Sequence, residues 1–162
     1  MDDIRDRQAA QGRDDEALDE RLDAVLDRGI GSPFFDELLD ILTGALASPS
    51  GVFGHLDEFG DLVCTAVRGT FGPREAVPVL CARDACVGTW SSALDRLVAS
   101  TLNEPQRVLN DGPLIARSVT VPIVFGAEAI GLLCVADRES PYRPVDQARA
   151  LRVVKRVAPF LF

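Results

Sequence analysis

Cys81 and Cys86 flank the tetrapeptide Ala82 to Ala85, with Arg83 inside it. A cation beside a thiol lowers its pKa and raises the thiolate fraction that exchanges disulfides or binds metal. The two are therefore the candidate redox pair of the chain. A lone CxxxxC lacks the second ligand pair of a structural zinc site, so no metal site is assigned. Cys64 and Cys134 fall inside apolar runs, where a free thiol behaves as a small buried hydrophobe. The single histidine, His55, excludes any site built on two imidazoles. It reads first as a half-buried strand residue and second as a haem or metal contact. No GxSxG, GxxxxGK or GxGxxG is present, and no catalytic residue is assigned.

The chemistry that remains is recognition. Residues 52–57 and 61–67 are expected to form a hairpin around a three-residue loop, Glu58, Phe59 and Gly60, with Gly60 in the left-handed position. That register sets Gly54 against Cys64 and Leu56 against Leu62 on one side. Phe53 then faces Thr65 and His55 faces Val63 on the other. The second side mixes apolar surface with two polar groups, the composition of a pocket wall. Trp90, the only tryptophan, anchors a helix expected over 89–101, and with the loop before Arg117 it should close over that wall. The expected ligand-binding set is Phe53, His55, Thr65, Trp90 and Arg117. The residues name neither the ligand nor a cofactor.

The elements that must position these residues follow from periodicity. Residues 1–13 are polar and expected to be disordered. Over 14–31, Leu18, Leu22, Val25 and Leu26 recur at helical spacing among acids, and Gly29 and Gly31 stop the helix. A domain over 32–162 follows, opening with a helix from Pro33 to Leu46. Residues 68–87 and 103–116 lack periodicity apart from a short strand expected at 77–82, and such stretches are more often binding loops or lids than accidents. Two runs, 119–125 and 129–136, flank the turn residues Gly126, Ala127 and Glu128, a second hairpin. Both are apolar at nearly every position, so both sheet faces should be covered. Pro122, which has no amide to donate, belongs on an unpaired side or at a bulge. A last helix is expected from Asp146 to Leu161. Its apolar residues Ala150, Leu151, Val153, Val154, Val157, Ala158, Phe160 and Leu161 cover about half the circumference. That is more than one sheet needs, and it points to a homodimer through terminal helices. Arg149, Arg152 and Arg156 on the opposite side should meet Asp19, Asp23 and Asp27.

The order of these pieces carries a resemblance. RSVTVPIVFGAEAIGLLCVADRESPYRPVD (117–146) resembles the C-terminal half of a GAF domain, the small-molecule-sensing and dimerising module of bacterial sensor kinases and related signalling proteins. LDEFGDLVC (56–64) is similar to that family's first hairpin; GTWSSAL (88–94) and NEP (103–105) are similar to its middle helix and following loop. The resemblance covers about residues 33 to 161. Asp137 stands where the family often carries Asn after the last strand, and the loop before Arg117 has no His. The resemblance implies an α+β, GAF-like (profilin-like) fold: a mainly antiparallel sheet with terminal helices on one face and a pocket-forming helix and loops on the other. It implies a sensory domain of bacterial signal transduction, not an enzyme, that binds a small molecule, dimerises through its terminal helices and works with a kinase or other output domain. The alternatives are a thiol-based enzyme of the free methionine sulfoxide reductase type, using Cys81 and Cys86, and a purely structural dimerisation module.

Composition permits this reading. A chain of 162 residues, 47% hydrophobic, is one domain with enough apolar content for a core. No apolar run approaches the roughly 20 residues that span a bilayer, and the start MDDIRDRQ lacks signal-peptide character, so a cytoplasmic location is expected. A net charge of −8 opposes binding to phosphate backbones or anionic lipid, so neither nucleic acid nor membrane is an expected partner.

Overall fold

The computed structural model describes residues 2–28, 34–56, 62–69, 99–107 and 114–160. Helix α1 runs from Asp2 to Asp27, starting at the second residue rather than at residue 14. Acids in its first turn complement the helix dipole, Arg7 pairs with Asp3 one turn back at 2.9 Å, and alanine, glutamine and arginine are good helix formers. Burial begins only at Leu18 and continues through Leu22, Val25 and Leu26. Helix α2, Phe34–Ala45, buries Phe34, Leu38, Leu39, Ile41 and Leu42 at helical spacing. It ends in a Schellman motif, with the Ser48 amide donating to the Thr43 carbonyl at 2.9 Å and the Ala47 amide to Gly44 at 3.2 Å. Ala47 takes the left-handed position there, at φ 49°, where glycine is usual.

Among the described residues seven strands follow: β1 Ser50–Leu56, β2 Leu62–Arg68, β3 Ser100–Leu102, β4 Gln106–Arg107, β5 Leu114–Ile115, β6 Ser118–Phe125 and β7 Glu128–Ala136. Five of them form an antiparallel sheet in the order β2-β1-β7-β6-β3, and β4 pairs with β5 separately. The first hairpin keeps the expected register at Gly54–Cys64, His55–Val63 and Leu56–Leu62. Beyond it a bulge shifts the ladder, so Phe53 meets Ala66 instead of Thr65. In the second hairpin Phe125 pairs with Glu128 across a two-residue turn whose first residue, Gly126, has φ 65°, as a II′ turn requires. Pro122 sits beyond the last β3 pair, Ser100–Thr120, and just before a bulge at Ile123/Val124, a place where its missing amide is tolerated. The helix expected over 89–101 is corrected at its end. Ser100 and Thr101 lie in β3, where they gain ladder bonds to β6.

Helix α3, Pro144–Val157, runs into a 3-10 turn, Ala158–Phe160. Pro144 at the first helical position suits a site with no amide to satisfy, and the Asp146 carboxylate accepts the Arg143 amide at 2.6 Å. Ala150, Val153, Val154, Val157 and Ala158 are buried in the chain's own core. Among the described residues the apolar surplus expected for a partner is largely spent inside the protomer, with Leu151 partly buried and Phe160 exposed. α1 lies parallel to α3 along a charge ladder of Asp15 with Arg149 (3.0 Å), Asp19 with Arg152, and Asp23 with Arg156. The ladder is one turn displaced from the expected set, because Asp15 takes the place foreseen for Asp27.

Candidate functional site

Side chains alternate across a strand, and the cross-strand pairs sort the sheet into two unlike faces. One carries Phe53, Ala66, Val119, Val121, Ile123, Leu133 and Val135, all in a single cluster with α1, α2 and α3. The other carries three cross-strand rows through β1, β7 and β6: Ser50–Ala136–Ser118, Val52–Cys134–Thr120 and Gly54–Leu132–Pro122. Apart from Pro122 these residues are buried, although the described helices all pack on the opposite face. Their sizes differ from those of the helix-facing set. Glycine, alanine, serine, threonine and cysteine leave a shallow carpet, with Leu132 its one large side chain.

Three groups on or beside this shallow face bear chemistry. The Thr120 hydroxyl belongs to a residue with 0% exposure and has no hydrogen-bond partner among the described residues. Such an unmet buried group costs about 1–3 kcal/mol. Directly across the ladder stands Cys134, a buried thiol whose Sγ lies 3.7 Å from the Val135 carbonyl. At the strand entry Arg117 donates to the Arg138 carbonyl at 2.9 Å, while its buried Nε–H lacks an acceptor among the described residues.

The strand ends meet at Asp137. Its backbone is left-handed at φ 68°, a conformation that Asn and Asp tolerate better than most residues. One carboxylate oxygen accepts the Ala116 amide at 3.0 Å, and the other accepts the Ser50 hydroxyl at 3.0 Å. Asp137 thus ties the start of β1 and the residues that lead into β6 to the end of β7.

The next residue ties the same corner to α3. The Arg138 guanidinium lies 4.4 Å over the Tyr142 ring, donates to the carbonyls of Ser140 and Pro141, and reaches the Asp146 carboxylate at 2.7 Å. Burial alone would push the Asp146 carboxyl up. The hydrogen bonds from Arg138 and from the Arg143 amide outweigh it and hold the group below the ordinary carboxylate range. Burial likewise raises the Tyr142 phenol, whose oxygen lies 2.6 Å from the Ser48 hydroxyl. Asn103 clamps the backbone of Tyr142 with both ends of its amide, at 2.8 and 3.0 Å.

The expected ligand-binding set is not gathered in one place. Phe53 and His55 are corrected: they point to the helix side, where the Phe35 ring lies 5.2 Å from Phe53 and stacks on His55 at 6.0 Å between centroids. An α2 rich in large apolar groups claims the Phe53 side of the hairpin for the core. Thr65 is the extra residue of the bulge, and its hydroxyl is committed to the Phe53 carbonyl at 3.1 Å. Arg117 lies at the sheet end. Trp90, Cys81, Cys86 and the strand expected at 77–82 lie outside the described residues. Thr120 and Ser118 were missed, although parity holds the signal. Between residues 118 and 136 the odd positions are mostly large and apolar, and the even ones hold Ser118, Thr120, Cys134 and Ala136.

An open cleft of about 740 Å³ lies elsewhere, between the end of α2 and residues 137–140, lined by Asp40, Thr43, Ala47, Arg138 and Glu139. Arg138, in that lining, directs four of its five donors at the Ser140, Leu46 and Pro141 carbonyls and at Asp146. Among the described residues no group of three or more His, Cys, Asp or Glu is arranged to hold a metal ion, and no helix is long and apolar enough to cross a membrane.

No protein-family model and no curated protein matches the chain. Solved structures do. The GAF domain of an Acinetobacter phosphoenolpyruvate-protein phosphotransferase superposes with a TM-score of 0.68 at 12% identity, covering 94% of this chain and 92% of that one. The GAF domain of a putative sensor histidine kinase from Pseudomonas syringae pv. tomato gives 0.59 at 13% identity, covering 98% and 91%. A far-red absorbing dark-state structure with bound biliverdin IXa gives 0.60 at 10% identity, covering 90% and 97%. The chain has the GAF fold, an α+β arrangement with an antiparallel sheet.

Proposed function

We propose that this GAF-fold chain is a sensory domain that binds a small molecule on the sheet face turned away from its helices and dimerises through its terminal helices. The observation that carries the reading is the contrast between the two faces. One is filled by large side chains packed on helices; the other is carpeted by small ones, yet is equally closed to solvent. Small side chains leave volume above a sheet, and a mostly apolar surface with a few placed polar groups is the usual lining of a ligand site. Arg117 at the rim, with its unmatched Nε–H, and Trp90 are the further contacts proposed for that ligand. Neighbours of the same fold come from sensor kinases, and one holds a bilin, which supports a signalling role for the fold without naming this chain's ligand.

A bound molecule would act by favouring one of two arrangements of the strand ends, because Asp137 and Arg138 join the sheet to α3. Equilibrium dialysis against a small-molecule extract of the source cells tests the binding. At least one compound should concentrate on the protein side, and Ala136→Phe should abolish its retention while leaving the circular dichroism spectrum unchanged, since the space above the floor would take the ring. Equal retention by the wild type and the variant would contradict the placement.

A further inference from the structure

The unmet hydroxyl of Thr120 narrows the class of molecule that can occupy this face, an inference that rests on the ligand reading above. Thr120 stands on β6, in the row Val52–Cys134–Thr120, with 0% exposure and no hydrogen-bond partner among the described residues. A threonine in such a place is expensive, because valine has nearly the same shape and would leave nothing unsatisfied. The neighbouring polar groups do not relieve it. The Ser50 hydroxyl is spent on Asp137, and the Cys134 thiol points to the Val135 carbonyl. Around Thr120 the floor carries the small or apolar residues Val52, Gly54, Pro122, Leu132 and Ala136, with Ser118 two residues back on β6 and Ser100 paired with Thr120 from β3. No carboxylate or cation stands in these three rows.

We propose that Thr120 is the specificity-determining residue of the site, donating its hydroxyl to a carbonyl on a flat, predominantly apolar ligand such as a lactam or a fused heterocycle. A flat ring system fits a floor of small side chains, and one hydrogen bond in a dry pocket discriminates strongly, because a molecule lacking the acceptor leaves the hydroxyl unmet.

Two fused bicyclic probes of similar size, quinolin-2-one and naphthalene, separate the possibilities when titrated against the full chain by ligand-observed NMR. Wild-type protein should bind quinolin-2-one about tenfold more tightly than naphthalene, and Thr120→Val should erase that preference while leaving naphthalene binding unchanged. A preference that survives Thr120→Val would overturn the role of Thr120 and leave the pocket standing. Binding of neither probe by wild type at about 1 mM would overturn the ligand site itself, and the role of Thr120 with it. The ligand-free proteins give an independent check. Thr120→Val should melt at the same temperature as wild type or higher, and a clear drop would mean that the hydroxyl already has a protein partner, which also overturns the proposal.

Discussion

Replacing Asp146 by alanine is expected to lower the free energy of unfolding by about 3–5 kcal/mol, because it strands the Arg138 guanidinium in a buried corner without its counter-charge. Asp146 is 2% exposed, and the Arg138 side chain is 11% exposed. The same carboxylate accepts the amide that opens α3, so the loss combines a buried pair with a helix cap. Urea denaturation of both proteins at neutral pH gives the difference directly, and a change below about 1 kcal/mol would place the pair among surface ion pairs. The sign of the pH effect follows from the lowered carboxyl. A group whose folded pKa lies below its unfolded value stabilises the fold above the unfolded value and stops doing so as pH falls through the folded one. Wild-type protein should therefore lose this contribution on acidification below the ordinary carboxylate range, whereas Asp146→Ala should show a flatter acid limb. Tyr142 acts at the other end. Its raised phenol means stability is present below the usual tyrosine range and declines as pH rises through it.

A second large effect separates core from interface on α3. Val154→Glu should yield no folded protein, because Val154 is 2% exposed among α-helical and sheet side chains, and an unpaired carboxylate there has no partner to offset its desolvation. Phe160→Glu, at a residue 44% exposed, should leave the fold intact. If the ends of the terminal helices form the subunit contact, Phe160→Glu should also shift sedimentation from dimer to monomer at micromolar concentrations. A folded Val154→Glu protein would show that α3 does not seal the core.

The helices and the two hairpins were legible because their signals are local, whereas the order of the sheet rests on long-range pairing that no local signal carries. Leu18, Leu22, Val25 and Leu26 announce a buried stripe by spacing alone, and the Gly126 turn announces its hairpin. The start of α1 was not legible, since residues 2–13 bury almost nothing and their helicity rests on weak propensities and a single ion pair. The faces of the first hairpin were misassigned for a different reason. Pairing fixes which residues share a side, and Gly54 does lie opposite Cys64, but which side meets the helices depends on long-range packing. Polar content suggested that the His55 side would line a pocket; Phe35 instead covers it with an aromatic ring. The floor now proposed was readable in principle from side-chain size at alternate positions, since the polar exceptions Ser118, Thr120 and Cys134 all fall on one parity.

Native mass spectrometry of the protein purified from its own source cells tests most directly whether a small molecule lies against the Thr120 face. The 17.5 kDa chain should fly with a discrete non-covalent adduct, singly occupied per protomer and lost on collisional activation. A preparation in which wild type and Ala136→Phe alike show only the bare mass of their own chain would contradict it.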